Sequence, residues 1–281
     1  MKVIRTLTEY NQWHSTTDAN AEIGFVPTMG ALHQGHLSLI RQSTKENYLT
    51  VCSIYINPTQ FDKKEDLIKY PKALKNDIAL LKTTNCDVLF VPDDRQMYPE
   101  GEDLTRYEFD FSQIDTLLEG KHRIGHFRGV GIVVGKLFEM LKPTKAYLGE
   151  KDYQQLQIVK RLAVAMKLNL SVIGSLTTRE SDGLAMSSRN LRLNQNERTE
   201  ATFIYQMLQK AKEKYSKGET IATIQFSIID KFNKHPSFKL DYFEIVHEET
   251  FLASGNKSNW RCFVAAFIGP VRLIDNMPLI A

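Results

Sequence analysis

Cysteine is scarce in this 281-residue chain, and the three present do not cluster. Cys52, Cys86 and Cys262 lie far apart in apolar segments and lack metal-ligand spacing. Three thiols cannot form a full disulfide framework, so buried, reduced side chains are expected. Long apolar runs are missing too. None approaches bilayer-spanning length, and residues 1–12 lack the apolar core of a secretory leader. A cytoplasmic enzyme is the expectation. Charge of one sign is also lacking: 36 Lys and Arg against 33 Asp and Glu leave a net charge of +3. A nucleic-acid-binding module would need a basic stripe with interleaved aromatics, and this chain shows none. Internal repeats, low-complexity tracts and floppy linkers are absent. What is there, 42% hydrophobic and 25% charged residues, suits a globular protein with a substantial core.

Short β-like runs alternate with helical patterns over the first 175 residues or so. Strands are expected at residues 23–27, 49–56, 87–91, 145–148 and 170–173. Helices are expected at 37–46, 72–82, 129–141 and 153–166. This alternation predicts an α/β fold with an open parallel sheet covered on both faces, whose ligands bind at the strands' carboxyl ends. The order then changes. One long helix at 196–217 and another at 221–233 precede strands at 240–246, 262–268 and 271–275, a smaller α+β unit. The expected domains are residues 1–175 and 176–281.

Residues 27–36, P-T-M-G-A-L-H-Q-G-H, join a strand to a helix. Exposed N–H groups at a helix start attract phosphate. His33 and His36 add hydrogen bonds and positive charge where a phosphoryl centre gains charge. Gly30 permits a tight turn, and Gly35 leaves room for an approaching phosphate. A zinc pair is the alternative, but no third and fourth ligand offer themselves. Residues 149–155, G-E-K-D-Y-Q-Q, also leave a strand and open a helix. Lys151 is a flexible point charge for phosphate, Asp152 suits ribose hydroxyls, and Gln155 is expected one turn beyond Lys151 on the same face. Residues 182–190, D-G-L-A-M-S-S-R-N, combine two small hydroxyls with the Arg189 guanidinium, a set suited to polyphosphate on a loop able to close. Gln60, in N-P-T-Q-F at 57–61, offers both donor and acceptor. The G-H-F-R-G-V segment at 125–130 is either a binding loop or a glycine-flanked turn.

Together with E-D-L-x-x-Y-P at 65–71 and R-L-I-D-N at 272–276, these segments resemble, in order, the pantothenate synthetase (pantoate–β-alanine ligase) family. The two-histidine motif is also similar to the phosphate motif of class I aminoacyl-tRNA synthetases and related nucleotidyltransferases. The resemblance implies a Rossmann-like first domain, a smaller lid-like second domain, and a cytoplasmic homodimer. It implies use of ATP with Mg²⁺, a pantoyl-adenylate intermediate, and release of AMP and pyrophosphate.

By the same resemblance, ATP would meet Met29, Gly30, Ala31, Leu32, His33, Gln34, Gly35 and His36, then Gly149, Glu150, Lys151 and Asp152, and finally Thr178, Met186, Ser187, Ser188 and Arg189. His36, His33, Lys151 and Arg189 would be the catalytic set, and Gln60 with Gln155 would bracket pantoate. No protein metal ligand is indicated. Thr59, Lys63-Lys64, Ile124 and Arg128 depart from the family pattern without removing a proposed catalytic residue. A nucleotidyltransferase that joins two nucleotides is the nearest alternative. It would need a larger, more charged acceptor pocket than two glutamines supply.

Overall fold

The structure, a computed structural model, describes residues 1–18, 20–62, 64–254 and 259–280. Lys63 and the side chain of Lys64, among the departures above, lie outside the described residues. The chain divides into two compact units: Met1–Glu150 with Gln154–Leu176, and Lys151–Tyr153 with Thr177–Ala281.

In the first unit, β1 (Lys2–Ile4), β2 (Ile23–Thr28), β3 (Leu49–Ile54), β4 (Val88–Phe90), β5 (Lys145–Gly149) and β6 (Ser171–Ser175) form one sheet. Its order is β1-β4-β3-β2-β5-β6, and every pair is parallel. Helices α1 (Leu7–His14), α2 (Gln34–Glu46), α3 (Lys64–Ile68), α4 (Leu74–Leu81), α5 (Asp94–Met97), α6 (Leu118–His122), α7 (His126–Leu141) and α8 (Tyr153–Ala165) connect the strands. The α/β fold with a parallel sheet is therefore present. Residues 23–26 of β2 are all buried, the near-continuous apolar run that a strand covered on both faces needs. Phe25 meets Phe138 of α7 edge-on, ring centres 6.3 Å apart, and each buried ring contributes about 2–3 kcal/mol. Sheet order reverses at β2, which has β3 on one side and β5 on the other. Such a reversal opens a crevice at the carboxyl ends of the strands.

The second unit sets α10 (Phe203–Ser216) and α11 (Ile221–Asn233), preceded by α9 (Gln195–Glu200), against an antiparallel sheet β7-β8-β9. Its strands are β7 (Phe238–His247), β8 (Trp260–Ile268) and β9 (Val271–Pro278). Leu208, Ile224, Ile228 and Phe232 pack with Phe243, Ile245, Val264 and Ala266 into one apolar core. The single helix expected over 196–217 is two. Ala201 and Thr202 keep right-handed helical angles, but Thr202 and Ile204 donate three residues back rather than four, which tightens one turn and separates α9 from α10.

All three cysteines are free and buried. Burial pushes the Cys86 and Cys262 thiols up to about 12 and raises Cys52 as well, so none is a ready thiolate nucleophile. Among the described residues no helix is long and apolar enough to cross a membrane.

Candidate active site

The chain passes from β2 to α2 through a tight turn. Gly30 and Ala31 both adopt positive φ, 80° and 50°, a conformation that costs a non-glycine residue about 1 kcal/mol. Asp77 of α4, only 1% exposed, holds this turn. Its Oδ2 accepts the Ala31 N–H at 3.0 Å and its Oδ1 accepts the Leu32 N–H at 2.7 Å. Thr28 Oγ1 accepts from Gly30 N at 3.2 Å and donates to the Ser53 carbonyl at 2.7 Å. Sequence reasoning missed Asp77, because its partners are backbone groups 45 residues away and leave no side-chain signature.

His33 then caps α2, and His36 occupies the third helical position. The imidazole centres lie 4.0 Å apart. The His33 N–H donates to His36 Nδ1 at 3.3 Å. With Nδ1 accepting, a neutral His36 carries its proton on Nε2, which becomes a hydrogen-bond donor at the positive end of the helix dipole. Both rings are half-buried, while Gln34 is exposed and accepts from Arg41 Nη1 at 3.3 Å.

The turn after β3 carries Gln60, which is buried. Its Nε2 lies 2.9 Å from Met29 Sδ, and its Oε1 accepts from Asn57 Nδ2 at 3.2 Å. Asn57, 1% exposed, also donates to the Gly129 carbonyl at 3.1 Å and accepts from Tyr98 Oη at 2.6 Å. His126 Nδ1 meets the Gln60 carbonyl at 2.8 Å. The 125–130 segment is therefore the support of the Gln60 turn, an outcome its chemistry alone left open. Thr59 Oγ1 donates to Asn57 Oδ1 at 3.0 Å, so this departure from the family pattern joins the same network. Ile124 is exposed, and Arg128 pairs with Glu108.

A Cβ on Gly129 would fall 2.5 Å from the Thr59 carbonyl oxygen, a backbone atom that cannot swing away. Gly129→Ala is accordingly expected to displace the 57–60 turn and, with Gln60 binding pantoate as the resemblance implies, to raise KM for pantoate about 10-fold or more, the scale of a small misplacement. An unchanged KM in steady-state assays would separate the turn from substrate binding.

At the end of β5, a Cβ on Gly149 would meet no protein atom within 4 Å. Lys151 and Gln155 do not lie on one α-helical turn, as their spacing suggests, but on successive elements. Glu150–Asp152 is a 3₁₀ turn, α8 starts at Tyr153, and the Lys151 carbonyl is taken by Asn276 Nδ2 at 2.9 Å. Lys151 Nζ lies 3.6 Å from Asp152 Oδ2. Gln154 is buried, donates to the Leu117 carbonyl at 2.7 Å and accepts from Glu119 N at 3.0 Å, so it braces a loop. Gln155 is half-buried.

In the second unit, residues 178–186 fold back on themselves. Met186 N donates to the Thr178 carbonyl at 3.0 Å, and Arg179 bridges Ala185. Gly183 is required: its φ is 92°, and a Cβ there would lie 2.1 Å from the Tyr205 ring. Asp182 pairs with Arg198 at 2.7 Å, and this bond pulls its carboxyl below the usual range. Its role is to anchor the loop. Ser187 Oγ accepts from Arg189 N at 3.2 Å and caps a 3₁₀ turn, Ser188–Arg192. Met186, Ser187, Ser188 and Arg189 are half-buried.

Comparison with known proteins follows the same residues from end to end. The pantoate-beta-alanine ligase family model matches residues 2–278. A pantothenate synthetase of Flavobacterium psychrophilum is 45% identical over 261 residues, 92% of each chain. One from Fervidobacterium nodosum is 43% identical over 281 residues, 99% of each chain. The crystal structure of pantothenate synthetase from Thermus thermophilus superposes with a TM-score of 0.92 at 38% identity and covers 100% of both chains. Pantoate-beta-alanine ligase from Francisella tularensis, complexed with beta-gamma ATP and beta-alanine, matches with a TM-score of 0.81 at 35% identity over 99% of this chain and 98% of that one. With a family model matched over residues 2–278 and relatives 43–45% identical across nearly the whole chain, the chain belongs to the pantoate–β-alanine ligase family.

Proposed function

We propose that this chain condenses pantoate with β-alanine at the expense of ATP by way of a pantoyl adenylate. A pantoate carboxylate oxygen attacks the α-phosphorus, and pyrophosphate leaves. The β-alanine amine then attacks the activated acyl carbon, AMP leaves, and pantothenate forms. A carboxylate already attacks competently, so positioning and phosphate electrostatics supply the acceleration. The observation that carries this reading is the placement of three motif segments, at His33–His36, Asn57–Gln60 and Gly149–Glu150, at or just beyond the carboxyl ends of β2, β3 and β5.

In this scheme His36 Nε2 donates to the phosphate oxygens as charge builds, with His33 beside it. Met29 and Gly149 line the adenosine along with Asp152, while Thr178 and Met186 meet adenine. Lys151, Ser187, Ser188 and Arg189 hold the β- and γ-phosphates. Gln60 and Gln155 bind pantoate. The Gln60 amide faces a thioether, a weak acceptor, so exchanging it for a substrate hydroxyl gains a better bond. Mg²⁺ enters as the ATP complex, bound through phosphate oxygens. Among the described residues no group of three or more His, Cys, Asp or Glu is placed to hold a metal. The active species is taken to be a cytoplasmic homodimer.

Incubating the chain with ATP, Mg²⁺, pantoate and β-alanine should give one AMP and one pyrophosphate per pantothenate. Release of ADP and phosphate would sink the adenylate route.

A further inference from the structure

Two consecutive residues of β9, Asp275 and Asn276, are buried in the second unit; Asn276 bonds to the Lys151 carbonyl, and Asp275 to Arg179, which starts the fold-back that precedes Ser187–Arg189. Asn276 spends its amide in two directions. Nδ2 donates to the Lys151 carbonyl at 2.9 Å across 125 residues of sequence, and Oδ1 accepts from Arg261 Nη1 at 2.6 Å. Arg261 in turn lies 3.8 Å over the Tyr153 ring, while its Nε donates to Glu248 at 2.9 Å. Residues 151–153 are thus gripped both at the Lys151 carbonyl and at the Tyr153 ring, which accounts for their packing with the second unit.

Asp275 serves the other segment. Its carboxylate takes Arg179 Nη1 and Nη2 at 2.6 and 3.0 Å, and Arg179 Nη1 donates onward to the Gly183 carbonyl at 3.1 Å. The guanidinium also stacks over Tyr205, 4.4 Å from the ring centre. The fold-back that leads into Ser187–Arg189 is keyed to this pair.

We infer that Asp275 and Asn276 are positioning residues for ATP: one dipeptide sets Lys151 through its carbonyl and, through Arg179, sets the segment that carries Ser187–Arg189. The inference rests on the assignment of those residues to the nucleotide phosphates. A bond to a backbone carbonyl fixes where a flexible lysine is rooted and thus lowers the entropy lost when its ammonium engages phosphate. A buried bidentate guanidinium–carboxylate pair does the same for a loop, with fixed geometry.

The test is Asn276→Asp in the full-length chain. Aspartate keeps the acceptor for Arg261 but replaces the donor to Lys151 with an oxygen that faces the carbonyl. KM for ATP is expected to rise about 10-fold, the worth of one lost hydrogen bond, while KM for pantoate stays within about twofold. KM does not depend on the folded fraction, so partial misfolding leaves the readout intact; Asn276→Ser, smaller and unable to span the gap, should behave alike. Combined with Lys151→Ala, Asn276→Asp should add nothing further, because both act on one contact. An unchanged KM for ATP, an equal rise in both KM values, or fully multiplicative effects would overturn the inference. Wild-type kinetics for Lys151→Ala alone would instead overturn the assignment of Lys151, and the inference with it.

Discussion

Replacing His36 with alanine should slow pantoate-dependent exchange between pyrophosphate and ATP by roughly 100-fold or more, the scale seen when one donor to a developing charge is removed. The exchange reports adenylate formation without the second step. Two costs must be separated. The ring takes part in the start of α2 through the 3.3 Å bond from His33 N, and losing such a cap costs about 1 kcal/mol of stability. That is too little to unfold a domain of ordinary stability. The catalytic loss, near ~3 kcal/mol in the barrier, would therefore appear in a folded protein. A His36→Ala variant whose exchange rate is within about threefold of wild type would reduce His36 to a helix cap.

Asp77→Ala is expected to be the most damaging change outside the assigned substrate contacts. It strips acceptors from the Ala31 and Leu32 N–H groups, each bonded to a carboxylate oxygen at 3.0 Å or less. A buried donor left unmatched costs about 1–3 kcal/mol. The positive φ of Ala31 loses its restraint at the same time. Denaturant unfolding should show a loss of about 2–5 kcal/mol. One opposing effect must be weighed: deleting a negative charge near the proposed phosphate site favours the anion. That gain is the smaller one, because two backbone dipoles already face the carboxylate and two charge-assisted bonds are lost. KM for ATP should consequently rise, by about 10-fold if one such bond's worth of loop order is lost. Unchanged or tighter use of ATP by Asp77→Ala would show that the turn keeps its shape without the aspartate.

The contrast between His36 and Asp77 explains what the sequence discloses. Residues proposed to face a ligand form local strings, and these are visible: two histidines three apart after an apolar run, or two serines and an arginine in a polar loop. Residues that hold those strings in place act on backbone groups far along the chain. Asp77 looks like the polar face of an amphipathic helix, and Asn276 like the end of a closing strand. The parallel sheet is legible because its central strands, β2 and β3 above all, are mostly buried runs rich in apolar residues. β1, three residues long, is too short for any period to register. Residues 196–217 keep helical periodicity across Ala201 and Thr202, since the break lies in the hydrogen-bond spacing and not in the pattern of apolar side chains. Lys151 and Gln155 show the converse: a spacing of four suggests one α-helical turn, whereas Lys151 sits in a 3₁₀ turn with its carbonyl bonded to Asn276.

The place of β2 beside β5 also bears on how the protein comes into being. Ile23 N bonds to Thr144 Oγ1, 121 residues further on, and β2 cannot acquire this neighbour until that stretch has been made. A ribosome adding about 5–20 residues per second needs roughly 6–25 seconds to bridge the gap. During that interval the sheet is open on the β5 side of β2. The nascent protein must keep the bare flank of β2 from foreign strands until β5 arrives, and nucleotide cannot assist by mass action, because the crevice at the sheet reversal does not yet exist.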